Sequence, residues 1–219
     1  MNLIIFNDTK NSIIRDENLM LCFLVSMISS KKMKFVRYLL EFMKSNNIKD
    51  RKIYESILQV YLFCGFPATI ESLKIFNIMF PNFKKPKYVF NQEKYKNRGL
   101  LTCKKIYTSN YYKLMENFSK LSNELKDWMI IEGYGKVIGR KGLSLKIREL
   151  LNVSILATNY YEHQLYSHIK GSLNTGANYH EITNVIELTK HFGGNRNYRK
   201  SINIAREVFR KMGKITIEC

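Results

Sequence analysis

The sequence predicts an all-α protein, and three observations support this fold class. Apolar residues recur at helical spacing along most of the 219 residues, and few stretches alternate with a period of two. The same helical pattern also occurs twice. When the chain is aligned with itself at an offset of 129 positions, without a gap, apolar residues coincide over about sixty residues, and Gly65 coincides with Gly194. We therefore predict two fused helical repeats.

The first predicted repeat occupies residues 1–80. Its helices are predicted at 17–30, 34–45, 49–65 and 68–80. Gly65 is a plausible end for the third helix, and Pro67 fits the first turn of the fourth. This repeat keeps the apolar pattern but lacks the polar residues of the second, so we interpret it as degenerate.

A joint is predicted at residues 81–116, because this segment contains two of the three prolines, a lysine cluster and no clear periodicity. We interpret it as a linker or a surface segment. The C-terminal repeat is predicted at 117–219. It has a helical pattern at 117–135, a basic glycine-rich loop at 135–144, and helices at 146–159, 161–176, 178–194 and 197–213.

Composition limits the class of protein. The 45% hydrophobic and 13% aromatic content favours a globular fold. The chain has no uninterrupted apolar run near the roughly 20 residues of a membrane span, and its first residues lack the apolar core of a signal peptide. We therefore expect a cytoplasmic protein without a membrane partner. No cysteine pair or cluster has metal-ligand spacing, so neither a metal nor another cofactor is expected.

The formal net charge of +18 favours an anionic partner, either nucleic acid or a small acidic molecule. The lysines are dispersed, which is more typical of a solvated surface than of a polyanion site. Residues 137–147 (VIGRKGLSLKI) resemble the GxxG loop of KH domains, which binds a nucleic-acid backbone. A KH fold needs β-strands, whereas both flanks have helical periodicity, so nucleic-acid binding is possible but not favoured.

The second repeat contains three polar residues that could perform acid–base chemistry: Glu149, His163 and His168. The residues aligned with them in the first repeat are Met20, Lys34 and Leu39. The sequence therefore directs the search for a site to the C-terminal half. Two alternatives remain open: Glu149 pairs with Arg148 or Lys146 on the helix surface, and the histidines are ordinary packing or surface residues.

Three stretches of the C-terminal half resemble the carboxymuconolactone decarboxylase family, which includes the alkylhydroperoxidase D-like proteins. They are GYGKVIGRKGLSLKIRELLNVSILA, HIKGSLNTGANYHEITNVIEL and a later FGG. The first half keeps the tail of the pattern in ESILQVYLFCGFPATIESLKIF. The resemblance covers about residues 17–80 and 128–210. It implies a helical fold and a ring-like homo-oligomer.

The resemblance also implies which residues perform the chemistry. Peroxidase members of the family use a glutamate, two cysteines and histidines. Their glutamate and histidines fall on Glu149, His163 and His168, but their cysteines fall on Tyr161 and Gln164. Without thiols, that route of peroxide reduction is chemically excluded.

The remaining pattern is closer to the decarboxylase branch. It implies a cofactor-independent lyase acting on a small acidic molecule. In this hypothesis His168 is the acid/base, Glu149 orients it and Arg140 holds a substrate carboxylate, while Tyr161 is a candidate to line the pocket. The alternative is a non-catalytic oligomeric binding or assembly module with the same fold.

Overall fold

The computed structural model describes residues 16–213, so the outermost residues of both predicted repeats lie outside the description. The described residues form helices and no strand. The predicted all-α class is confirmed. Within this part of the chain, the strands that a KH domain needs beside residues 137–147 are absent.

The first half of the chain folds into three helices: α1 (Glu17–Ser29), α2 (Met33–Ser45) and α3 (Asp50–Met79). The Asp16 carboxylate caps α1 by accepting hydrogen bonds from two backbone N–H groups of its first turn. Helix α3 contains a break at Gly65, whose φ of 72° and ψ of −173° are not helical. Pro67 follows in the first turn beyond the break, where its missing N–H costs nothing.

The middle of the chain differs from the sequence prediction. Residues 92–121 are mainly helical, as α4 (Gln92–Tyr107), a 3-10 turn (Thr108–Asn110) and α5 (Tyr111–Leu121). The interpretation of all of 81–116 as a linker or surface segment was therefore wrong. The buried face of helix α4 contains Gly99, Thr102 and Cys103 between Tyr95 and Ile106, so few large apolar residues mark it in the sequence.

The second half begins with α6 (Asn123–Trp128), which continues directly into a π-helical segment, Met129–Ile138. The loop that follows leads to α7 (Leu145–Asn159), α8 (Glu162–Asn174), α9 (Tyr179–Leu188) and α10 (Lys190–Lys211). Helix α10 is broken at Gly194, with φ 77° and ψ 166°. A π-helix of this length is rare, and such segments are frequent at functional sites.

The helix boundaries of the two halves correspond at the offset found in the sequence. Helix α2 shifted by 129 positions coincides with α8, and α1 falls within α7. The breaks at Gly65 and Gly194 also coincide, and both glycines have nearly the same positive φ and extended ψ. A residue with a side chain rarely adopts this conformation, so both halves need glycine there.

A single apolar core contains residues of α1–α3 and of α7–α10. At its centre α1 crosses α7, and three buried hydroxyls connect the two helices. The Ser26 hydroxyl lies 2.7 Å from the Ser154 hydroxyl and 2.8 Å from that of Thr158. These polar groups are satisfied by one another, so they do not weaken the core.

By length and composition alone, α3 could cross a membrane. The break at Gly65 divides it into segments shorter than the roughly 20 residues of a membrane span, and its buried face lies in the protein core. The buried core helix of a globular protein can have the same length and hydropathy, so α3 is weak evidence for a membrane span.

Helix α4 and the π-helical segment pack backbone against backbone. A β-carbon added to Gly99 would lie 2.0 Å from the Ile130 carbonyl oxygen, and one added to Gly135 would lie 2.1 Å from the Tyr95 carbonyl oxygen. Only glycine permits this approach. The two glycines thereby hold the π-helical segment beside α4.

Replacing Gly99 by alanine is expected to lower the free energy of unfolding by about 1–3 kcal/mol, because the two backbones must separate. Gly133→Ala is the matched control, since a β-carbon there has no neighbour within 4 Å. Urea unfolding followed by circular dichroism measures both variants. Equal midpoints for the two would contradict the backbone contact described here.

Candidate functional site

Glu149 and His168 form a buried pair between α7 and α8. The His168 Nδ1 atom lies 2.7 Å from the Glu149 Oε2 atom, and the carboxylate is fully buried. The side-chain amide of Asn152, one turn along α7, donates to Glu149 Oε1 at 3.2 Å. Two of the three predicted catalytic residues are therefore brought together, and Glu149 pairs with neither Arg148 nor Lys146.

The Glu149 carboxylate determines which nitrogen of His168 carries the proton, and a chain of hydrogen bonds orients the Asn152 amide, whose nitrogen lies 3.3 Å from His168 Nδ1. Arg148 can only donate, so the Gln59 carbonyl oxygen accepts from its Nη1 at 3.0 Å. The Gln59 amide nitrogen then donates to the Asn152 oxygen at 2.6 Å. The Asn152 nitrogen is thus a donor, and since a carboxylate only accepts, His168 Nδ1–H donates to Glu149. This leaves the lone pair on Nε2, as a general base requires.

The imidazole is fixed from two further sides. The Phe63 ring packs edge-on against it, with ring centroids 5.8 Å apart and an interplanar angle of 86°. Gly171 lies beside the carboxylate, where an added β-carbon would lie 2.5 Å from Glu149 Oε2. A side chain at position 171 would displace the carboxylate from His168.

The hydrogen-bond chain begins at Glu55, a carboxylate of α3 that is fully buried. Three arginines surround it. Arg140 donates from Nε and Nη2 to its two oxygens at 2.8 and 2.9 Å, and Arg148 donates from Nη2 at 2.9 Å. Arg51 lies 2.8 Å from the same carboxylate. This cluster joins α3 to α7 and to the loop before it.

Burial alone would raise the pKa of the Glu55 carboxyl. The hydrogen bonds from Arg140 and Arg148, together with their positive charges, outweigh burial and lower the pKa below its ordinary value. Glu55 therefore remains ionised at neutral pH, which the fully buried Arg148 guanidinium needs as its partner.

A cavity of about 830 Å³ opens on the other side of His168. Its wall consists of the middle of α3, the end of α4, α5, α6, the π-helical segment and the start of α8. Its apolar lining includes Leu114, Phe118, Leu121, Leu125 and Trp128, and its polar lining includes Tyr107, Glu132, Tyr134, Asn152, His163 and His168. No described residue forms a hydrogen bond with His168 Nε2. This nitrogen is also not among the fully buried, unpaired polar atoms of residues 16–213, so it is accessible.

The other predicted site residues have different positions. His163 lines the same cavity but has no hydrogen bond to Glu149. Arg140 does not line the cavity, and Glu55 occupies its guanidinium, so the geometry contradicts its predicted role as a carboxylate clamp. Tyr161 precedes α8 and is half exposed outside the cavity, so it does not line the pocket as predicted.

Sequence reasoning missed the contribution of the first half. Glu55, Gln59 and Phe63 lie one turn apart on α3, where Glu55 and Gln59 bind Arg148 and Phe63 packs against His168. The sequence did contain one sign of this contribution, because a glutamate and a glutamine lie on a predicted buried helix face, where polar residues need partners. Tyr107 and Tyr134 were also missed. Tyr107 lies in the segment interpreted as a linker, and Tyr134 lies in a predicted helix whose pattern does not reveal a distant partner.

No group of three or more histidine, cysteine or acidic residues within residues 16–213 has the geometry to hold a metal ion. The described cysteines do not line the cavity. Burial raises the pKa of the Cys64 thiol to about 11 and that of Cys103 to about 12. These thiols are therefore poor nucleophiles.

Residues 125–207 match the model of the carboxymuconolactone decarboxylase family. This segment contains Glu149, Asn152 and His168 together with the π-helical segment. The C-terminal half of the chain therefore contains a segment of that family, as the resemblance predicted for residues 128–210. No curated protein matches the chain.

Replacing Glu55 by glutamine is expected to lower the free energy of unfolding by about 3–5 kcal/mol at neutral pH, because Arg148 loses its buried ionic partner. Glu71→Gln is the control, since Glu71 is exposed and pairs only with Lys74. Since folding lowers the Glu55 pKa, its contribution is complete above the ordinary value of 4.5 and is lost as the pH falls through the lowered value. The difference between wild type and variant should therefore shrink in acid. Denaturant unfolding at several pH values measures it, and a constant difference would contradict this account.

Proposed function

We propose that this protein, which contains a segment of the carboxymuconolactone decarboxylase family, is a cofactor-independent acid–base enzyme that transfers a proton to or from a substrate carbon. The observation that carries the proposal is His168: its Nδ1 is fixed by the buried Glu149, and its Nε2 is free beside the cavity. A base with one oriented nitrogen and one open nitrogen is the arrangement that general acid–base catalysis needs.

In the decarboxylase form of the reaction, the bond between the substrate carboxylate and its carbon breaks, and CO2 leaves. The electron pair moves into a conjugated carbonyl to give a dienolate. Protonated His168 then donates its Nε2 proton to the carbon, and solvent restores that proton. Glu149 stabilises the charged imidazole before the transfer. In the lactone or ketone form, neutral His168 removes a proton next to a carbonyl instead.

The arrangement favours this chemistry over thiol peroxidase chemistry. Tyr161 and Gln164 stand where the peroxidase members have cysteines, and neither has a thiol. Cys64 of α3 follows Phe63, which lines the cavity, but the Cys64 thiol has a raised pKa and lies outside the lining. The acid and base of the family remain in this chain without the redox pair.

We also propose that the two halves arose by duplication and that only the second kept a site. The corresponding bounds of α2 and α8 and the matching breaks at Gly65 and Gly194 support this. The first half has Met20 and Leu39 where the second has Glu149 and His168. Its remaining role is to supply Glu55, Gln59 and Phe63 as supports.

The function is tested by incubating the protein in D2O with carboxymuconolactone and with neutral lactones and ketones. Deuterium incorporated at the carbon next to the carbonyl, measured by NMR, reports proton transfer in either form of the reaction. His168→Gln should lower the rate by about 10²–10⁴-fold. His180→Gln is the control, since His180 is exposed on α9 away from the cavity.

Glu149→Gln should also lower the rate by orders of magnitude, because a glutamine amide can donate to Nδ1 and move the imidazole proton to Nε2. Its stability and its ligand binding should change little by comparison. If no compound exchanges deuterium, or if the His168 variant retains wild-type exchange, the enzyme hypothesis is wrong. The non-catalytic binding module with the same fold then becomes the better account.

A further inference from the structure

The cavity beside His168 has a different charge from the protein as a whole. The net charge is +18, yet among the described residues neither lysine nor arginine lines this cavity. The one carboxylate in the lining, Glu132, pairs with Lys136 at 2.8 Å. Behind the His168 ring lies the buried charge of Glu149. An anionic ligand would therefore find neither a lysine nor an arginine as its counterion, and it would approach the carboxylate of Glu149.

The structure does not provide the predicted carboxylate-binding residue of an acidic substrate. That residue was Arg140, and its guanidinium pairs with Glu55. Moving a carboxylate from water into a half-enclosed apolar site costs several kcal/mol unless a cation or several hydrogen-bond donors compensate. The lining provides mostly leucine and aromatic surface.

Among the hydrogen-bond donors of the lining, Tyr107 and Tyr134 are buried and bonded to each other. The hydroxyls of Tyr107 and Tyr134 lie 2.7 Å apart, and both residues line the cavity. The bond between them uses one of their two protons. The second proton has no acceptor among residues 16–213, and a buried hydroxyl without an acceptor is unfavourable. A ligand oxygen would satisfy it.

The tyrosines are suited to remain donors. Burial raises the pKa of Tyr107 and of Tyr134, and the negative charge of Glu149 raises both further. Neither hydroxyl ionises at neutral pH. The pair therefore offers a neutral O–H to an acceptor, much as a tyrosine does where charge develops on a carbonyl oxygen.

We propose that the cavity binds an uncharged, largely apolar molecule that carries a carbonyl oxygen, which accepts a hydrogen bond from the Tyr107–Tyr134 pair. The apolar part lies against Leu114, Phe118 and Trp128. The volume of about 830 Å³ is within the range of small-molecule sites. This inference rests on the proposed function and selects its lactone or ketone form, because an uncharged substrate has no carboxylate to lose. Binding itself does not depend on catalysis.

The single tryptophan of the chain provides a direct reporter. Trp128 lines the cavity and is 62% exposed, so a ligand that covers it should shift its fluorescence emission to shorter wavelength. Three probes of nearly the same shape separate the contributions: 4-phenylbutan-2-one has a carbonyl, 3-phenylpropanoate has a carboxylate, and butylbenzene has neither. Calorimetric titration of the full chain gives each dissociation constant.

The ketone should bind best, butylbenzene roughly fivefold more weakly because it lacks one hydrogen bond, and the carboxylate weakest. The positively charged surface attracts the carboxylate probe at long range, so weaker binding of the carboxylate than of the ketone would be strong support. Tyr107→Phe should remove the advantage of the ketone over butylbenzene. Tyr112→Phe, at an exposed position of α5, should leave it unchanged.

Tighter binding of the carboxylate than of the ketone would overturn the proposal, as would a ketone advantage that survives both Tyr107→Phe and Tyr134→Phe. An emission already at short wavelength that no probe shifts would also overturn it, since another part of the chain or a second copy then fills the cavity. The catalytic proposal is tested separately. If the three probes bind in the expected order of affinity but the bound ketone exchanges no deuterium, the catalytic proposal is wrong and the binding proposal stands.

Discussion

The structure depends on one buried ion pair, between Glu55 of α3 and Arg148 of α7. Neither side chain is exposed, so each charge relies on the other for the stabilisation that water would otherwise provide. Arg148 also donates to Gln59, and this bond determines the orientation of every amide as far as His168. The same interaction therefore joins α3 to α7 and orients the Asn152 amide beside His168.

The middle segment gives the site its cavity. Helix α4 and the π-helical segment approach through Gly99 and Gly135, and this contact places Tyr107 and Tyr134 within hydrogen-bonding distance. A regular α-helix over residues 129–138 would rotate these side chains to different directions, because its period is shorter than that of a π-helix. The irregular segment is thus the means by which donors reach the wall of the cavity.

The fold was largely predictable from the sequence, because most helices bury a stripe of large apolar residues and both breaks fall on a glycine. Helix α4 was not, because its buried face depends on Gly99, Thr102 and Cys103, which resemble surface residues in any hydrophobic pattern. The pairing of Glu149 with His168 followed from the family pattern. The role of Arg140 did not, since its partner Glu55 lies 85 positions away and only the folded chain brings them together.

The two buried polar clusters, around Glu55 and around Glu149, differ in whether a polar atom remains available to a ligand. Around Glu55, each arginine donates to the same carboxylate, and the carboxylate has no accessible oxygen left for a substrate. Around Glu149, the carboxylate is equally buried, but its partner has a second nitrogen that faces no protein group within the described chain. A carboxylate whose oxygens are both occupied by arginine donors stabilises the fold and cannot accept from a substrate. A cluster that ends in an open base, beside an apolar cavity without cations, has the composition of a site for a neutral carbonyl compound.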